Sequence, residues 1–476
     1  MRTHLTLRFC VTATLLAVAA LGAGCGDSHS SVGMTPMSDL MPAQRPAFTK
    51  QRLRAGANWT LVDVTTTDHA FLYTVQGQGV VVSLVDGSEV TIAQHARRGG
   101  VLHDLVWVID DRALVVWTAA GGTRTLDTSA FDPIESTDDG KTVAYLGAVD
   151  VDANSATLFV APADGSRAPR AALTGIAPIG RCSARIVPAG DRFVVSHCPA
   201  GSTDYGTHAT LTAVDANGAT VELAQNAWVG VAVDAARGSV AYATGSFSPA
   251  ELRVVPLAGG QAVTAATGVL EFGFLADGAL VAARGTLWRV RASGSPAPVE
   301  LSTQTCDHLI GPTTDGAYVA CSITGPGSGS TAMMPTTPGM ARVVGTNVVP
   351  MSPRAGDAYQ QPFTDDGKWL VFIDGATAGT GGVVAGSLTA VDPRTGAARP
   401  IAGDATFARA LGGGRVGFLV GDALSVIDLA TTNPPADVAA KVAHAQVRAN
   451  PAGDAIVWLS SDTDPATSGL WVAPMP

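Results

Sequence analysis

Three acid–imidazole neighbours stand out in this chain: Asp68-His69, His103-Asp104 and Asp307-His308. A histidine beside a carboxylate can move a proton near neutral pH. All three fall near strand junctions, so a repeating fold could bring them together at its axis. The same residues serve equally well as hydrogen-bond links between neighbouring repeats. The remaining histidines, His95, His197, His208 and His444 among them, are scattered and form no H-x-x-x-H or H-E-x-x-H pair. DVDAN at 150–154 offers oxygen ligands at alternate positions, but it lacks the Gly at position six and the Glu at position twelve of a calcium loop. It reads as a solvated turn. No G-x-S-x-G occurs, and GPGSGS at 325–330 has the wrong spacing for a nucleophile elbow. No catalytic, cofactor or metal residue is assigned.

The cysteines point to oxidation rather than to a metal. Of the six, Cys182 and Cys198 form one close pair and Cys306 and Cys321 another, each flanking a single turn. Adjacent antiparallel strands would bring each pair within bridging reach. Four cysteines allow three connectivities, of which local pairing closes the smaller loops. A four-Cys zinc site would need a C-x-x-C knuckle that is absent. The chain has 476 residues, with 46% apolar, 15% charged and a net charge of −10. That acidity argues against nucleic acid, which needs a basic footprint. The adjacent Arg97 and Arg98 read as solvated surface.

The N-terminus carries an address. Arg2 and Arg8 precede an apolar run over 9–24, too short for a spanning helix. The end of that run, LGAGC at 21–25, resembles the lipobox of bacterial lipoproteins, with Gly22 where an aliphatic residue is usual. The resemblance implies lipidation of Cys25 and an anchor rather than a span. Residues 1–25 are therefore expected to be a lipoprotein signal and 26–55 a flexible tether. Within the tether, Lys50, Arg52 and Arg54 read as solvated charge with some reach towards anionic head groups.

From residue 56 to 476 one frame recurs. LFVAPADG at 158–165 returns near Leu211, Leu252, Leu287 and Leu388. With Val80, Leu114, Ala332, Leu424 and Leu470 it marks the third strand of ten modules, spaced by about 43 residues, a period typical of four-stranded propeller blades. Alternating Val, Leu, Phe and Trp give the face that packs blade on blade. The fold class is all-β: a β-propeller of four-stranded antiparallel blades in one ring of eight to ten. The last module ends on its third strand, so residues 59–64 are expected to close the ring.

STDDGKTVAY at 136–145 and TDDGKWLVF at 364–372 resemble the turn-and-strand signature of TolB-like, WD40-like propeller repeats, with Thr for Ser and Asp for Pro. The resemblance implies a periplasmic or surface propeller, commonly a protein-interaction platform, and no catalytic residues. Two features read as binding features. Long second-to-third strand loops, 199–208 and 374–386 among them, would build an uneven rim. Met333, Met334 and Met340 stand where a third strand fails, as adaptable contacts. The expected function is a non-catalytic scaffold of the bacterial envelope, without cofactor, binding an envelope protein or small ligand. The alternative is an enzyme with its site in the propeller channel, a polysaccharide lyase or hydrolase, which would need carboxylates, His or Arg converging at the axis.

Overall fold

A computed structural model describes residues 48–476, apart from 57, 75–76, 181, 203–207, 246–249, 270, 276, 284–285, 303–307, 313–318, 324–338, 345–346, 353–362, 365 and 379–383. Among these residues the chain is all-β, save a single 3-10 turn at Ala235–Arg237. Every strand pairing is antiparallel, and the strands form four-stranded units in a propeller-like arrangement.

The expected frame has a physical basis. The third-strand markers Val80, Leu114, Leu158, Leu211, Leu252, Leu287, Leu388, Leu424 and Leu470 are all 0% exposed. An apolar side chain there is covered by its own sheet and by the next, which is why the position repeats. Ala332 and the neighbouring Met333 and Met334 lie outside the described residues. The third strand of their unit is Gly339–Val344, so it is displaced along the chain rather than lost, and Met340 sits within it.

Some strands serve two units. Glu89–Leu102 pairs with Gly77–Ser83 through residues 89–96 and with Leu105–Asp110 through 96–102. Thr220–Asp234 and Ala398–Gly412 do the same. Each is the outer strand of one unit and the innermost strand of the next, with bulges at the bend.

Among the described residues, ten core clusters join two successive units, and one more surrounds Cys182 and Cys198. Val143 and Tyr145 of one unit pack with Leu105, Trp107 and Leu114 of the preceding one. The cycle returns on itself: Leu61, Leu72 and Val80 near the N-terminus share a core with Ala455, Val457, Leu470 and Val472 near the C-terminus.

The closing strand differs from the expected one. Thr60–Val64 pairs with His69–Tyr73 of its own unit. Closure is made instead by Gln51–Ala55, which pairs Gln51 with Val472 and Ala55 with Gly469. These residues belong to the folded body and not to the expected tether of 26–55, so the body begins earlier. The stretch QRLRA is charged, as expected of a solvated linker, yet its charges are engaged. Lys50 Nζ donates to the Val438 carbonyl at 2.6 Å, and Arg52 donates to the carbonyls of Pro465 and Ala466 at 2.8 Å. Arg54 pairs with Glu89 and lies over the Trp59 ring at 4.3 Å. These partners, not anionic head groups, take up the cluster's charge.

Candidate functional site: the axial wall

The turn between the first and second strands of a unit fixes the height of every innermost side chain. In one unit the Thr137 N–H bonds the Thr142 carbonyl at 2.9 Å, and its hydroxyl donates to Asp139 at 2.8 Å. Asp139 also accepts from the Lys141 N–H at 3.1 Å, and these donors hold its carboxyl down at about 2. Thr364 and Asp366 repeat the arrangement. Thr65 and Asn450 take the place of Thr137 in two further units, where their N–H groups bond the carbonyls of His69 and Ala455.

Two positions before Thr65, Thr137 and Asn450, on the innermost strands of their units, stand Asp63, Glu135 and Arg448, in matching register opposite Phe71, Ala144 and Val457. Where the anchor is Leu275, the equivalent residue is Gly273, beside which an added Cβ would meet nothing within 4 Å. Arg448 Nε lies 3.8 Å from Asp63 Oδ1, with 13% of the Arg448 side chain and 46% of the Asp63 side chain exposed. Burial pushes the Arg448 guanidinium down to about 10, and the nearby Arg409 adds to the effect while Asp63 opposes it. On the next strands, Arg98 pairs with Asp132. Arg98 is therefore not idle surface, whereas Arg97 is a loose partner of Asp111 at 3.6 Å.

The residues singled out by type behave differently. Asp68 accepts from Asn450 Nδ2 at 2.9 Å, and Asp104 accepts from the Thr66 hydroxyl. Both contacts link turns of neighbouring units on one rim, so these acid–imidazole pairs do not converge on the axis. His69 packs its ring 4.9 Å from Trp117. His95 faces Asp111 at 3.6 Å, and His444 reaches the Thr406 carbonyl at 3.1 Å. His197 meets the Thr212 hydroxyl at 3.1 Å, and burial lowers its pKa. Asp307 and the side chain of His308 lie outside the described residues. Asp150 spends its carboxylate on the N–H groups of Asp152 and Ala153, both at 3.0 Å, which closes a turn. Among the described residues, no group of three or more His, Cys, Asp or Glu side chains is placed to hold a metal ion.

Cys182 and Cys198 are bridged, with Cα atoms 5.8 Å apart. The second expected bridge lies outside the described residues, as does GPGSGS. Loops 199–208 and 374–386 are described only in part. The axial charges were missed by a search for motifs. The signal that finds them is the residue two places before each turn-anchoring Thr or Asn.

No family model matches this chain, and no curated protein does. Solved structures do resemble it. A crystal structure of the eukaryotic initiation factor is similar at 13% identity and TM-score 0.43, over 75% of this chain and 88% of that one. Dipeptidyl peptidase 4 of Porphyromonas gingivalis is similar at 12% identity and TM-score 0.43, over 70% and 57%. The WD40 domain of SCAP from fission yeast is similar at 8% identity and TM-score 0.40, over 81% and 98%. The chain spans about half of the tricorn protease and of a prolyl endopeptidase, 53% and 54%. A putative TolB from Agrobacterium tumefaciens and an oligogalacturonate lyase also resemble it. Such likeness concerns the fold and transfers no active site. The expectation of a non-catalytic scaffold is corrected only this far: the structures that the chain resembles include propeller peptidases and a lyase, so the fold does not speak for a scaffold, and the likeness assigns no activity.

Proposed function

We propose that this chain is an enzyme whose substrate site lies on the axial face of its innermost strands, cleaving a polymer by hydrolysis or elimination. The observation that carries the reading is the equivalent register of Asp63, Glu135 and Arg448 on three innermost strands, with Asp63 Oδ1 3.8 Å from Arg448 Nε and Arg409 near Arg448. Bond cleavage of either kind needs a group to move a proton and a cation to steady the developing negative charge. Asp63, half exposed, supplies the carboxylate. Arg409 supplies the cation, with Arg448 holding the pair of strands in place.

The ring is read as ten blades. Ten core clusters each join two successive units, the last of them linking the C-terminal unit back to the first. The turn geometry of Thr137 and Thr364 supports placing the repeats with the TolB-like class. The bridge between Cys182 and Cys198 suits an exported protein. With lipidation at Cys25, it would be held on the cell envelope.

The test is turnover. Purified protein, as the wild type and as Asp63→Asn and Glu135→Gln, is incubated with panels of envelope polysaccharides and peptides, and new chain ends are measured. The reading requires cleavage of one class, reduced at least tenfold in Asp63→Asn with the fold intact. Wild-type and Asp63→Asn rates that agree would overturn it.

A further inference from the structure

The outer strands share one irregularity. In every unit among the described residues, the ladder between the third and outer strands shifts by one residue. Leu114 pairs with Asp127 and Val115 with Thr125, so Leu126 is the extra residue of a β-bulge. By the same count Ile92 and Leu223 are the extra residues of their units. All three are buried. Each such residue is apolar and plugs the core shared with the following unit. In the closing strand the plug is Leu53, between Arg52 opposite Trp471 and Arg54 opposite Leu470.

The bulge makes each outer edge selective. A flat strand laid there would set its apolar side chains one residue out of step, and such a slip turns them to the wrong face. The edge of Gly469–Pro474 asks for more. Arg52, just before the plug, donates to the carbonyls of Pro465 and Ala466, both at 2.8 Å. Arg54, just after it, pairs with Glu89. A segment reading Arg-Leu-Arg around a bulge thus meets an apolar seam, a pair of carbonyls and a carboxylate within one short strand. The chain's own residues 51–55 answer that pattern. So do the same residues of a second copy.

The connections of the closing strand allow it to be exchanged. Elsewhere a turn ties the outer strand to the third, as Gly165 lies between Ser155–Pro162 and Arg170–Ile176. No such turn links Gln51–Ala55 to Gly469–Pro474, because the other strands of the ring lie between them in sequence. The closing strand is held to the first unit through 56–59, where Gly56 has φ 110° and the exposed Asn58 has φ 74°. Positive φ suits Gly but is uncommon for a residue with a side chain, and a straightened connection relieves it. Short hinges of this kind favour exchange between copies. Seam and strand are unchanged when the strand lies on a neighbour, so each of its contacts is remade there. We infer that two copies of this chain exchange Gln51–Ala55, each closing the ring of the other in a two-fold dimer.

The test uses the full-length protein carrying Gln51→Cys and Val472→Cys, positions that face each other across the seam. It is refolded from urea at concentrations rising to about 1 mM, the range that a short linker provides within one chain. After oxidation, monomer and dimer are separated by size and run on a denaturing gel without reductant. The dimer fraction is expected to rise with concentration, its bridges joining two chains, while the bridge of the monomer stays within one. Removing residues 56–58 keeps the strand from its own edge, so the bridged dimer is expected to rise at least tenfold. Leu53→Asp takes away the plug and is expected to lower the bridged dimer at least fivefold. A full chain that stays monomeric at every concentration would overturn the assignment, as would a shortened chain that does so. Dimers bridged only within chains, or bridged dimers unchanged by Leu53→Asp, would also overturn it.

Discussion

Arg448 donates its Nε hydrogen to the carbonyl oxygen of Val62 at 2.8 Å, tying the innermost strand of the last unit to that of the first. Its terminal nitrogens reach the carbonyls of Leu61 at 3.3 Å, Ala445 at 3.0 Å and Val447 at 2.8 Å. One side chain thus spans the seam of the ring and stands in the same register as the axial carboxylates.

Arg448→Met is therefore expected to weaken the seam first and the site second. Charged hydrogen bonds contribute about 1.5–3 kcal/mol each, and the freed carbonyls would be left partly buried. A net loss of about 3 kcal/mol is expected in urea unfolding. Arg448→Lys keeps the charge but cannot serve four carbonyls at once, so it should recover less than half of that loss.

Acid should loosen the turns before the sheets. The Asp139 carboxyl sits at about 2 in the folded chain, below its ordinary 3.8, because Thr137 and Lys141 donate to it. A depressed carboxylate contributes stability above its unfolded value, and that contribution is lost as pH falls through the folded one. The turn is thus expected to weaken between about pH 4 and pH 2. Acid titration followed by circular dichroism should show the loss in the wild type. Asp139→Asn, with no carboxylate to protonate, should show a shallower slope across that window; an identical slope would refute the account.

The bridge between Cys182 and Cys198 closes a loop of sequence separation 16. Loop-closure entropy for that length is worth about 3 kcal/mol. The double variant with serine at both positions should unfold at lower urea by that amount, and a reducing agent should shift the wild type towards it. If Cys306 and Cys321 are also joined, peptide mapping under non-reducing conditions will show a second local bridge and no crossed pair.

The repeat was legible because burial enforces it. Leu158, Leu211 and Leu470 sit between two sheets, and any polar residue there would lose its water without a partner. The axial site left no such trace. Asp63, Glu135 and Arg448 share a register only through the anchoring hydrogen bonds of Thr65, Thr137 and Asn450, and a count along the sequence without those anchors does not align them. The acid–imidazole neighbours misled for the opposite reason. Their residue types suit catalysis, but their places in the turns commit them to contacts between units, as Asp68 is committed to Asn450. The closing strand was obscured by charge: Arg52 and Arg54 look solvated until their carbonyl, carboxylate and ring partners are known.

That closing strand gives the last prediction. Gln51–Ala55 covers the edge of Gly469–Pro474, which would otherwise present unpaired N–H and carbonyl groups to water and to other chains. A chain beginning at residue 48 keeps the strand, together with Lys50 on the Val438 carbonyl and Phe48 against the shared core. A chain beginning at residue 57 loses all of them. The first is expected to unfold at the same urea concentration as the full chain. The second should unfold at lower urea, self-associate through the bare edge and expose 470–476 to protease. Strand addition supplies the control. A synthetic peptide covering 48–56, added to the shorter chain, should restore protease resistance in a saturable way. The same peptide with Arg52 and Arg54 replaced by serine should restore less, since it pairs its backbone but cannot reach the carbonyls of Pro465 and Ala466 or the carboxylate of Glu89. Equal stability of the two truncated chains would mean that the ring holds without its latch, and the seam would then rest on Arg448, the Asn450–Asp68 and Gln446–Leu61 hydrogen bonds and the apolar core between Leu61 and Val457.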